Sequence, residues 1–148
     1  MREIRFRAKT IKGGQWIEGD LFRAGTEPGD GEFAISYWDD EDGWMNENVR
    51  PDTVGQFTGC YDKNHNRIFE GDIVECVSWN EYFSKDGQPM EPFRRKMYVD
   101  FRKGGFKMVE PIPEPMKDNE WDIIFNGDIV IIGNIYDNPQ LIDMKRLG

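Results

Sequence analysis

The sequence predicts a mostly β protein, and three observations predict it. Leu and Ala occur three times each, against 14 Ile, seven Val and 20 aromatics in 148 residues. Leu and Ala lose little side-chain freedom in helices, whereas branched and aromatic residues suit a pleated, half-buried surface. Apolar residues recur at every second position, and 16 Gly with eight Pro supply turns between short strands.

Ile4, Phe6 and Ala8 alternate with Arg5, Arg7 and Lys9, a strand with one wet face. Trp16 to Glu18 and Leu21 to Arg23 read as strands around a Gly19-Asp20 turn or bulge. Glu32 to Trp38 is a strand, and Asp39 to Gly43 the turn after it. Val54 to Tyr61 and Ile73 to Trp79 are strands joined through Asp62 to Asn66. Lys96 to Arg102 and Phe106 to Glu110 bracket Lys103-Gly104-Gly105, a hairpin signal, and Trp121 to Phe125 and Asp128 to Tyr136 bracket Asn126-Gly127, another. Asn80 to Phe93 reads as a loop. So does Glu110 to Asn119, which Pro111, Pro113 and Pro115 hold extended. Asp137-Asn138-Pro139-Gln140 has an N-cap, an early Pro and a Gln three residues after the cap, so a short C-terminal helical turn follows.

One pattern occurs three times: Gly19-Asp20-Leu21-Phe22, Gly71-Asp72-Ile73-Val74 and Gly127-Asp128-Ile129-Val130. Gly-Asp is good turn chemistry before a strand. The second copy resembles the way a small SH3-like barrel begins, an analogy that carries no function. The fold expected is an N-terminal β region, residues 1–60, packed with a C-terminal SH3-like β-barrel region, residues 61–148, or one domain over the whole chain.

The segment from Asp52 to Val74 contains Thr58-Gly59-Cys60-Tyr61-Asp62-Lys63-Asn64 and Ile68-Phe69-Glu70-Gly71-Asp72-Ile73-Val74. With Ile132-Gly133-Asn134-Ile135-Tyr136-Asp137-Asn138-Pro139-Gln140-Leu141 and the start Met1 to Ala8, it resembles the YopX family of phage and prophage proteins. The resemblance implies a mostly β, oligomeric protein encoded by phage or integrated phage. It implies no established activity and no catalytic residues, so no site is carried over. The family has Asn-Gly where this chain has Asn64-His65, and His adopts φ > 0 far less readily than Gly. The turn is therefore expected to move to His65-Asn66 or to lengthen.

The chain is poor in catalytic motifs. Its one His, His65, lies in a turn, and its three Ser occupy no nucleophile elbow. No Walker loop or dinucleotide fingerprint is present, and His and Cys are too few for a metal site of their own. Cys60 and Cys76 read as buried, reduced thiols. Asp40-Glu41-Asp42-Gly43 and Asp62-Lys63-Asn64-His65-Asn66 each match part of a calcium loop, but both lack its most demanding ligands, so both read as solvated turns. Pro89 to Arg94 fits a PxxPxR peptide, a pattern that arises by chance. No cofactor is expected. No apolar run approaches the ~18 residues needed to cross a bilayer, and the N-terminus lacks a signal-peptide core. A cytoplasmic protein of the bacterial host is expected.

Charge is the most informative feature. The net charge is −9. Residues 27–52 alone carry −8, through Glu27, Asp30, Glu32, Asp39, Asp40, Glu41, Asp42, Glu47 and Asp52 against Arg50. Residues 94–107 carry +5, through Arg94, Arg95, Lys96, Arg102, Lys103 and Lys107 against Asp100, with Tyr98, Phe101 and Phe106 interleaved. Three readings follow. The acidic stretch binds a host or phage protein, or the basic hairpin of another copy, giving an oligomer without catalysis. Alternatively the basic hairpin follows a phosphate backbone and stacks bases. The third reading, a cation-dependent enzyme at residues 39–42, has least support. The first leads, because an acidic chain attracts nucleic acid poorly.

Overall fold

The computed structural model describes residues 2–25, 32–78, 93–112, 114–123 and 128–142. The chain is mostly β and divides into two compact units, Met1–Gly59 and Cys60–Gly148. Among the described residues no helix is long and apolar enough to cross a membrane.

In the first unit, β1 (Phe6–Lys9), β2 (Trp16–Arg23), β3 (Phe33–Asp39), β4 (Gly43–Asn48) and β5 (Gly55–Tyr61) lie in the order β4-β3-β2-β1-β5, all antiparallel, with β5 running two residues into the second unit. Ala8, Ile35 and Val49 form the buried centre, with Phe6, Ile17, Leu21, Phe33, Tyr37 and Val54 packed around it. The alternation read at Phe6 and Ala8 is thus an inward-facing row. Beyond β4 the chain returns to the end of β1: Ile11 N donates to Asn48 O at 3.0 Å and Arg50 N to Lys9 O at 2.8 Å. A 3₁₀ turn, Pro51–Thr53, follows, and Thr53 Oγ1 accepts from Lys9 N at 2.9 Å.

Two expectations for this unit need correction. Gly19-Asp20 is neither turn nor bulge but the middle of the continuous strand β2. The reason for Gly is a close approach, since a Cβ there would run into the carbonyl oxygen of Ser36 on β3. The stretch after Asp39-Gly43 is also a strand, β4, which the sequence reading missed.

The second unit begins with the turn Asp62–Asn66 and β6 (Arg67–Phe69). Then β7 (Asp72–Ser78), β8 (Phe93–Arg102), β9 (Gly105–Glu110), β10 (Asn119–Asp122) and β11 (Asp128–Asn134) form an antiparallel sheet in the order β10-β9-β8-β7-β11. Both faces are covered. Val74, Cys76, Met97, Val99 and Met108 lie on one side with Ile68, and Ile73, Tyr98 and Val109 on the other with Ile142. Double-sided burial explains why consecutive residues are apolar at Ile73-Val74 in β7 and at Met97-Tyr98-Val99 in β8. In β11 Ile131 packs on the first cluster and Ile132 on the second, as successive strand residues do, and a register irregularity follows between Ile131 and Gly133.

This sheet is open, and the SH3-like barrel expected for it does not form. Closure would require β10 to meet β11. The meander β7-β8-β9-β10 moves steadily away from β11, and β10 has four residues, little for a closing ladder to use. The Asn126-Gly127 turn itself lies outside the described residues, but the strands on either side of it are not partners. β11 pairs with β7, Ile129 opposite Cys76, and not with β10. The other hairpin forms as read: Lys103 (φ 53°) and Gly104 (φ 79°) are the two left-handed residues of a tight two-residue turn. The C-terminal helical turn is a 3₁₀ turn, Pro139–Leu141. Asn80 to Phe93 falls mostly outside the described residues, as do Pro113, Asn126 and Gly127.

Candidate functional site

Five acids of the stretch, Asp39, Asp40, Glu41, Asp42 and Glu47, lie on the β3-β4 hairpin of the first unit. Asp39 Oδ1 accepts the amides of Glu41 at 2.8 Å and Asp42 at 3.1 Å, folding the turn on itself. Asp40, Glu41 and Asp42 are exposed. One Asp39 oxygen is therefore committed to the backbone, and among the described residues no group of three or more His, Cys, Asp or Glu is placed to hold a metal. Glu47 does not join this patch. Its carboxylate accepts the Tyr37 hydroxyl at 2.9 Å, and that hydrogen bond pushes the Tyr37 pKa up. Glu32 is exposed at the start of β3, and Glu27 and Asp30 lie outside the described residues.

The sequence reading missed the aromatic part of this hairpin. Trp38 and Trp44 are directly opposite each other in the β3-β4 register and stack edge to face, centroids 5.6 Å apart at 79°. They are 59% and 67% exposed. A signal was available: two Trp flank Asp39–Gly43 at equal distance, which an antiparallel hairpin turns into a cross-strand pair. The hairpin thus presents two indole rings beside four consecutive carboxylates.

The basic hairpin lies in the second unit, and most of its cations are paired there. Arg94 Nη1 meets Glu75 at 3.0 Å and Arg95 Nη1 meets Glu110 at 3.5 Å, with the Arg95 guanidinium also over Trp121. Lys103 Nζ meets Glu120 at 3.1 Å, and Lys107 meets Asp122. Arg102 is the hub. Its Nε donates to Asp100 at 2.9 Å, Nη1 to Glu120 at 2.9 Å and Nη2 to the Tyr98 hydroxyl at 2.8 Å. Burial would lower its pKa, but the bonds to Glu120 and Asp100 raise it; the bond from Arg102 in turn holds the Glu120 carboxyl below its usual range. Of the six cations, Lys96 alone has no ion pair among the described residues. Phe101 and Phe106 stack edge to face on each other, 5.3 Å apart.

The Asp62 turn is a third constellation, and its chemistry is structural. Asp62 is buried. Its carboxylate accepts the amides of Asn64 and Asn66, each at 2.9 Å, and of Ile131 at 3.2 Å. Burial raises its pKa, but these bonds outweigh that and lower it on balance. The turn does not move to accommodate His65: His65 itself takes φ 64°. At the other end of the unit, Asn134 Oδ1 accepts from Tyr136 N and Asp137 N, and Asn138 Oδ1 accepts from Asn134 N. Cys60 and Cys76 form no disulfide and pack on one core, Cys76 buried and Cys60, contrary to expectation, half-buried; burial pushes the Cys76 pKa up.

The model of the YopX protein family matches residues 5–143. The chain belongs to the YopX family. The resemblance first read at three segments therefore extends over nearly the whole sequence. A solved structure, of protein EF1440 from Enterococcus faecalis, is similar at 20% identity over 96% of this chain and 99% of that one, with a TM-score of 0.47. No curated protein matches. In this YopX-family chain, several residues of the segments that carry the resemblance hold turns: Asp62, Gly71, Asp72 and the Asn134–Asn138 loop. Gly71 takes φ 92°, and Asp72, fully buried, accepts from Phe69 N at 2.7 Å.

Proposed function

We propose that the protein acts by binding a protein partner that carries basic groups, without catalysis, and that the β3-β4 hairpin makes the contact. One observation carries this reading: the exposed Trp38–Trp44 pair stands beside the Asp39–Asp42 turn. Exposed Trp is uncommon in surfaces that touch only water and frequent among residues that dominate interfaces. A Lys or Arg laid on an indole face gains a cation–π contact, and neighbouring carboxylates add to it. The setting is that of a phage or prophage accessory protein in the bacterial cytoplasm.

Self-association by docking the acidic stretch on the basic hairpin of another copy has less support, since it must compete with Glu75, Glu110, Glu120 and Asp122 for the same cations. The test is a nuclease-treated pull-down from host lysate with the wild-type chain and a Trp38→Ala, Trp44→Ala variant of equal thermal stability. The variant should lose a protein that the wild type retains. An unchanged partner set, or material that vanishes with nuclease, rejects the reading.

A further inference from the structure

We infer that the outer edge of β4 receives an extended basic segment of the partner as an added strand; this rests on the binding reading above and specifies its mode. The backbone directions follow from two hydrogen bonds. Asn48 O accepts from Ile11 N, on the side away from β3, whereas Val49 N donates to Phe33 O, toward β3. In an antiparallel strand the N–H and C=O of one residue point to the same side, and successive residues alternate. Trp44 and Asn46 therefore present both backbone groups outward. Among the described residues β4 pairs only with β3 along Gly43–Asn48.

A groove follows this edge, with Thr10, Ile11, Lys12 and Gln15 on one wall and Met45 to Asn48 on the other. The wall is preformed: Thr10 Oγ1 donates to Lys12 O at 2.6 Å and accepts from Gln15 N at 3.1 Å. Edge strands are normally shortened, charged or covered. The second unit's edges are managed in these ways. The outer side of β11 is closed by Asp62, which accepts Ile131 N, and by Lys63 N, which donates to Ile129 O at 2.9 Å, while β10 is four residues long with two acids. Among the described residues, nothing covers β4 in this way over Trp44 and Asn46.

Charge selects the occupant. The exposed side chains beside this edge include Trp44 with Trp38 opposite it, Asn46 and Asn48, and the carboxylates of Asp40, Glu41 and Asp42; Lys12 on the facing wall is the one cation among the groove's lining residues, against these three acids and Glu47. A Lys or Arg on the added strand, on the same face as Trp44, meets the indoles and that acidic turn together. A second copy adding its own β4 would instead bring up another stretch of −8, and its basic hairpin is already paired with Glu75, Glu110, Glu120 and Asp122.

The test uses the full chain and a labelled eight-residue peptide alternating Lys and Val. Two further versions are N-methylated at one or the other set of alternate amides, which removes the donors of one strand face. Saturable binding is expected, with shifts of the Trp44–Asn48 amide signals. One N-methylated version should bind at least tenfold more weakly while the other does not. Asn46→Pro should weaken binding as much and still fold, because Pro is tolerated on an edge strand where its missing N–H faces outward. Binding that falls with Trp44→Ala and Asp42→Asn but ignores both N-methylated versions overturns strand addition and leaves the binding reading standing. No binding of any peptide at millimolar concentration overturns the inference, as does a wild-type dimer that Asn46→Pro makes monomeric, since the occupant is then a second copy. The pull-down with the double Trp variant judges the broader reading separately.

Discussion

His65 holds a backbone conformation that costs an L-residue with a β-carbon about 1–2 kcal/mol. It is kept there because Asp62 accepts the amides on either side of it, from Asn64 and Asn66, and Asp62 O accepts His65 N at 3.0 Å. His65→Gly relieves the strain but adds freedom to the unfolded chain. The expected net gain is about 0.5–1 kcal/mol, seen as a higher midpoint in thermal melting, with no gain for His65→Ala. The sequence reading noticed the unusual residue but moved the turn. The error has a physical cause: the Asp62 cage is three-dimensional, and its third amide comes from Ile131, 69 residues away. Asp62 also sets a pH dependence. Its folded pKa is lowered, so its contribution is complete above the unfolded value of about 3.9 and is lost as pH falls through the folded value. Urea melts should show stability dropping as the pH is lowered through and below about 4. Asp62→Asn should be less stable at pH 7 and should flatten that drop; an unchanged slope would contradict the assignment.

At the scale of elements, strands with a two-residue alternation or a run of apolar residues were readable, as β1, β3, β5, β7, β8, β9 and β11 are. β4 was not, because Trp44-Met45-Asn46-Glu47-Asn48 puts a large apolar residue on its exposed face and a carboxylate on the other. β6, with three residues, is too short to show a period. Gly19 misled for a different reason: sequence tells that Gly is there, but only the register, Asp20 opposite Ser36, tells that another backbone lies against it. Gly19→Ala is therefore expected to destabilise the first unit by about 1–3 kcal/mol, since the obstacle is a backbone carbonyl that cannot move aside cheaply. A denaturation midpoint equal to wild type would mean the strands can separate there. In the second unit, Arg102 joins β8 to β10 through Glu120 and touches Asp118 at 3.6 Å, whose other oxygen accepts Ile112 N. Arg102→Ala leaves several half-buried acceptors without their shared donor and should cost about 1–3 kcal/mol. Arg102→Lys should recover little of it, because an ammonium lacks the planar fork that reaches Asp100, Glu120 and Tyr98 at once. Full recovery by Lys would show that only charge matters.

At the scale of the molecule, the charge pattern read from sequence survives in one half and is rewritten in the other. Of the acidic stretch, Asp40, Glu41 and Asp42 stand exposed on the β3-β4 hairpin, and they gain two Trp that a charge count could not show. The basic stretch of +5 was counted along one hairpin, whereas neutralisation comes across the sheet. Glu75 on β7, Glu110 on β9, and Asp118 with the β10 acids Glu120 and Asp122 reach the same cations. The period of Asn119-Glu120-Trp121-Asp122 sets both β10 acids on one face. Once these carboxylates are included, the surface offers a phosphate backbone little net attraction. The chain should give no retardation of DNA or RNA at 50 mM salt (roughly the low end of the range where phosphate contacts bind hardest). Combined Glu75→Gln, Glu110→Gln and Glu120→Gln should release Arg94, Arg95 and Lys103 and create salt-sensitive retardation where there was none. If the unaltered chain already retards nucleic acid, and Arg94→Ala with Arg95→Ala abolishes it, the cross-strand pairs do not mask the hairpin, and the nucleic-acid reading displaces the one based on the acidic Trp hairpin.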